Sequence, residues 1–151
     1  PTRRSSDLAG GNFFVSGAYV ASDLWDNRLV KANEEDKKFA MEVLKYKWRV
    51  GQAARNGKVK SVTSPFPEIT GSYTYYQDLN PESYVVESPD ALEPAAQGAF
   101  TILRYSENNL SAGIAYKGNY KTCVLGFPFE AIRTVTEREL LMKAILTFFE
   151  H

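Results

Sequence analysis

Two kinds of hydrophobic spacing divide the chain. NFFVS (residues 12–16) and the Cys123-Val124-Leu125 run within YKTCVLGF (120–127) are apolar without alternation, as expected of strands covered on both faces. FTILRY (100–105) and SAGIAY (111–116) read as further strands, separated by a turn at Glu107-Asn108-Asn109. Tyr46, Trp48 and Val50 alternate, which suits a half-buried strand. Elsewhere the period is helical. Phe39, Ala40, Val43 and Leu44 share one face of a helix that Asn33 caps, with Glu34, Glu35 and Asp36 favourably placed in its first turn. Leu140, Leu141, Ala144, Ile145 and Phe148 predict a core-facing helix over 137–149, opened by a capping box of Thr136 and Glu139. After Gly17, AYVASDLW (18–25) begins a short helix.

The middle of the chain is less regular. Five of the seven prolines (Pro65, Pro67, Pro81, Pro89 and Pro94) break residues 63–98 into short extended pieces such as SYTYY and SYVVE. Residues 46–98 therefore read as an irregular insertion carrying β-hairpin material, with Asn56-Gly57 as its strongest turn and RVGQAARNGK as a solvated hairpin. Pro1–Leu8 is polar and unpatterned and resembles translated adapter sequence. It is set aside as non-native, which makes an N-terminally truncated domain over 9–151 the expectation.

Composition narrows the chemistry. The chain has 151 residues, 44% hydrophobic and 24% charged, enough for one domain with a real core. Eighteen basic residues balance eighteen acidic ones, which gives no electrostatic case for nucleic acid. No apolar stretch approaches the roughly 20 residues of a membrane span. The single cysteine, Cys123, excludes an internal disulfide and reads as a small buried hydrophobe. The one histidine is His151, the last residue, so triad and His-metal chemistry lack a positioned imidazole. No cofactor and no metal are called for.

GGNFFVSGAYV resembles the Gly-Gly–strand–nucleophile–Gly segment of class I glutamine amidotransferase-like domains, with Ser16 at the cysteine position. VLGFPFEAI (124–132) resembles that family's closing strand, where a histidine and a glutamate two residues later complete a triad. Glu130 matches the glutamate, and Pro128 stands in place of the histidine. NFFVSGAYVASDLW, FAMEVLKYKWRVGQAARNGKV, SAGIAYKGNYKTCVLGFPFEAI and RELLMKAILTFFE together look like the C-terminal module of Bacteroidetes xanthan lyase-like proteins, over most of 10–150. The resemblance implies a flavodoxin-like three-layer α/β sheet with strands near 12–16 and 121–127, the last helix on one face and an incomplete edge. It also implies an extracellular, periplasmic or cell-surface location, with polysaccharide or other domains of the parent chain as partners.

Two functional readings follow. In one, the chain is a non-catalytic accessory or glycan-associated domain, and Ser16 and Glu130 are what remains of a site. A serine hydroxyl is a poor nucleophile until a base takes its proton. In the other, a divergent hydrolase or lyase fragment still uses Ser16 and Glu130, with Asp23 as a further acid. Tyr75, Tyr76 and Trp25 are the candidate sugar-stacking residues, from an aromatic set that includes Tyr73 and Tyr84. Asp23, Asp26 and Asn27 have the oxygen donors for a hard cation, but a solvated helix end is the simpler account. A self-association module is the third possibility.

Overall fold

In chain order the elements are β1 (Asn12–Ser16), α1 (Ser22–Trp25), α2 (Glu34–Phe39, continued by a π-turn over Ala40–Leu44), β2 (Tyr46–Val50), β3 (Lys58–Ser61), β4 (Ser72–Thr74), β5 (Ala91–Pro94), β6 (Ala99–Tyr105), β7 (Ser111–Lys117), β8 (Lys121–Leu125), a 3-10 turn (Phe129–Ala131) and α3 (Val135–Glu150). The structure, a computed structural model, describes residues 10–25, 34–78, 81 and 83–151. Pro1–Leu8, Asp26, Asn27 and Asn33 lie outside the described residues, and so do the readings made of them.

The fold is mixed α/β. Six strands form a curled sheet in the order β1-β8-β7-β6-β3-β4, and β2 pairs with β5 in a separate ribbon. β1 and β8 are parallel, from Asn12 beside Lys121 to Ser16 beside Leu125. Every other pairing is antiparallel. β8 is central, as its unbroken apolar run requires, and Thr122 to Leu125 are all buried.

Alternation along β8 separates two cores. Cys123 and Leu125 face a core shared with Leu141, Ala144, Ile145 and Phe148 of α3, with Phe14 of β1 packed against it. Val124 points the other way, into a core with Tyr46, Leu92, Ala40 and Leu44, flanked by Phe13 and Val15. α3 thus covers one face, while α1, α2 and the two-stranded ribbon cover the other.

Several expectations are corrected. β1 is half-buried rather than covered on both faces, because among the described residues it lies at the edge of the sheet with β8 as its one neighbour. α3 begins two residues early. Its N-cap is Thr134, whose side chain accepts from the Glu137 amide and donates to the Glu137 carboxylate. Leu140 is 58% exposed, since the buried stripe runs through Leu141, Ala144, Ile145 and Phe148. Arg49–Lys58 is no hairpin: β2 and β3 belong to different sheets, and the Arg55 and Asn56 amides are tied to Glu107. The 46–98 segment extends the main sheet through β3 and β4 and supplies Val59, Phe66, Ile69, Tyr73 and Tyr75 to the larger core. No helix among the described residues is long and apolar enough to cross a membrane.

Candidate functional site at the carboxyl ends of β1 and β8

The parallel pair brings its two carboxyl ends together. The Gly17 amide donates to the Leu125 carbonyl at 3.3 Å, which continues the pairing past the strand. Beyond β8 the chain is extended at Pro128 and then makes one 3-10 turn, lifting Glu130 into solvent. The half-buried Ser16 side-chain oxygen accepts from the Phe129 amide at 3.2 Å. The Phe129 ring meets Phe14 edge-on, with centroids 6.1 Å apart. Ser16 and Glu130, far apart in sequence, are thereby brought to the same end of the sheet.

They do not act on each other. The Glu130 carboxylate accepts from the Tyr84 hydroxyl at 2.6 Å, and no hydrogen bond joins it to Ser16. Partial burial, followed by that hydrogen bond and the Glu130 charge, pushes the Tyr84 phenol up to about 12. The only histidine is also misplaced. α3 runs antiparallel to β1: its carboxyl end meets Asn12, whose side-chain amide donates to the Phe149 carbonyl at 3.4 Å. His151 therefore sits at the opposite end of β1 from Ser16.

A carboxylate that sequence reading overlooked organises the other side of this junction. Asp90 is fully buried, and its Oδ2 accepts from the Ala21 and Ser22 amides at 2.9 and 2.8 Å. The Asp90 backbone joins the same knot, its amide donating to Gly126 and its carbonyl accepting from the Tyr105 hydroxyl, both at 2.7 Å. Asp90 Oδ1, Ser22 Oγ and Trp48 Nε1 are buried without a hydrogen bond of normal geometry, although both donors lie close enough to favour the ionised form. Burial outweighs all these donors and pushes the carboxyl up to about 6. Its partners are 68 and 69 positions away, so no local pattern announces it.

The aromatic set separates. Tyr75 is fully buried, stacked on Phe127 at 5.1 Å, so it has no face to offer a sugar. Tyr73 is buried as well, its hydroxyl donating to the Thr70 carbonyl. Trp25 is half-buried beside Tyr46 in the core on the other face of the sheet. Tyr76 and Tyr84 remain. Tyr76 is half-buried under the Arg133 guanidinium, 5.2 Å from its centroid, and Tyr84 is 52% exposed. Cys123 is buried, and burial pushes its thiol up to about 12, which leaves no thiolate nucleophile. No cluster of three potential metal-binding side chains occurs among the described residues. No protein-family model matches the chain, and none of the curated proteins does so either.

Proposed function

We propose that this chain is a non-catalytic accessory domain, amidotransferase-like and flavodoxin-like in descent, within a larger bacterial xanthan lyase-like protein that handles polysaccharide at the cell surface, in the periplasm or outside the cell. One observation carries the non-catalytic part: Ser16 accepts from the Phe129 amide and has no imidazole beside it, because the one histidine of the chain lies at the far end of β1. Without a base the hydroxyl is not activated, and loss of a triad member costs several orders of magnitude in rate. The retained order of Gly-Gly, strand, Ser16 and Gly17, with β1 parallel to β8, supports the descent. The antiparallel remainder of the sheet departs from a doubly wound parallel pattern.

For the glycan-associated part, the supporting surface is the one around Tyr84, Glu130, Tyr76 and Arg133. An exposed phenol ring beside a carboxylate, with a second ring under a guanidinium, offers stacking faces and polar groups of the kind sugars use. The test is a glycan-binding screen on the intact chain, repeated with Tyr84→Ala and Tyr76→Ala. Binding weakened about tenfold in both supports the reading; unchanged binding removes it. The competing hydrolase reading predicts turnover that vanishes in Ser16→Ala.

A further inference from the structure

Asn56-Gly57, the strongest turn signal of the sequence, joins no hairpin, and the function proposed above leaves it unused. The Asn56 side-chain oxygen Oδ1 accepts from the Lys58 amide at 3.1 Å. Such a bond folds the side chain back over the intervening peptide, whose nitrogen is that of Gly57. The Arg55 and Asn56 amides are held by Glu107 Oε2 at 2.7 and 3.1 Å, which fixes the backbone of the turn. Asn56 itself is exposed, so its side-chain nitrogen faces solvent.

These contacts supply what an intramolecular attack needs. Gly57 has no side chain to obstruct its own nitrogen, and its amide donates to no acceptor among the described residues. The Asn56 carbonyl carbon is held near that nitrogen rather than left to find it. Negative charge developing on Oδ1 meets a donor already in place, the Lys58 amide.

We infer that Asn56 is a self-modification site, at which the Gly57 nitrogen closes on the Asn56 side-chain carbonyl and the amide is exchanged for a carboxylate. The Gly57 nitrogen bonds to Cγ as its proton passes to solvent base. The Cγ–Nδ2 bond then breaks, and the side-chain nitrogen takes up a proton and leaves as ammonia. The cyclic imide adds one water, which opens either of its two carbonyls. One opening restores the backbone as aspartate; the other routes the chain through Cβ as isoaspartate. Water is the sole co-reactant.

The consequence follows from how tightly Gly57 is packed. Its carbonyl accepts from the Tyr75 amide at 2.8 Å, and a Cβ at Gly57 would overlap the Tyr75 carbonyl. Isoaspartate lengthens the backbone by one carbon immediately before this contact, so the start of β3 must part from the end of β4. Either product also sets a new carboxylate beside that of Glu107. Tyr76, the residue after Tyr75, lies under Arg133, so the same event slackens that surface.

The test is a time course on the full chain in mildly alkaline buffer, with peptide mass mapping to place each new carboxylate and isoaspartyl methyltransferase to count isoaspartate. A parallel incubation in guanidinium chloride gives the rate in the unfolded chain. Asn56 should convert about tenfold or more faster than Asn108, Asn109 and Asn119, and no slower folded than unfolded. Thermal stability should fall as isoaspartate accumulates. Asn56→Ser keeps an oxygen for the Lys58 amide but cannot form the imide, so it should hold its Tm over the same period. If Asn56 keeps its amide in the folded chain while the unfolded chain converts, the turn protects the residue and the inference is overturned. An equal loss of stability in Asn56→Ser overturns it as well.

Discussion

Ser16 Oγ accepts from the Phe129 amide at 3.2 Å, tying the end of β1 to the turn that follows β8. The bond takes up one of the two lone pairs of the hydroxyl oxygen and gives the serine a structural task. Ser16→Ala should lower stability by about 1 kcal/mol, measured by urea unfolding, because one partly buried amide loses its partner. No hydrolytic rate should change with it.

Tyr84 and Glu130 form the neighbouring pair, and the phenol lies at about 12 because burial and then the carboxylate disfavour the phenolate. Replacing the carboxylate with an amide removes the charge. In Glu130→Gln, the tyrosinate absorbance assigned to Tyr84 by difference from Tyr84→Phe should appear at lower pH, nearer the ordinary value of 10.0. A titration that does not move would mean that burial alone sets it.

Asp90 imposes a pH dependence of the opposite sense to a salt-bridged carboxylate. Its folded pKa of about 6 lies above the ordinary 3.8, so the folded state binds the proton more tightly than the unfolded one. The contribution to stability is full below about 4 and declines as pH rises through about 6. The decline amounts to up to about 3 kcal/mol. Asp90→Asn should flatten that part of the pH–stability curve. Equal slopes in the two proteins would refute the assignment.

Two glycines should respond differently to alanine. A Cβ at Gly126 would overlap the Asp90 backbone carbonyl, which is held by Tyr105 and cannot step aside. Gly126→Ala should cost about 3 kcal/mol or more, read by thermal unfolding. At Gly71 nothing lies within 4 Å, and the penalty comes from a φ of +89° alone. About 1 kcal/mol is expected there.

Truncating Leu141, fully buried between α3 and the sheet, tests the larger core. Leu141→Ala should destabilise by about 2–5 kcal/mol, while Leu140→Ala, one residue earlier and largely exposed, should fall within about 0.5 kcal/mol of wild type.

Periodicity by itself determined β1, β6, β7, β8 and the helices around Ala40 and Ile145, because burial repeats every two or about 3.6 residues and leaves a trace within each segment. The sequence also located the Ser16 and Glu130 ends of β1 and β8, through the strands that carry them. Tertiary structure alone decided that β1 runs parallel to β8, that β2 and β3 part into different sheets, and that Tyr75 is sealed while Tyr84 is exposed. It alone produced Asp90, whose amide partners on α1 lie 68 and 69 positions back along the chain. A side chain's period records that it is covered, but the identity of what covers it is a long-range fact, fixed only when the chain closes on itself.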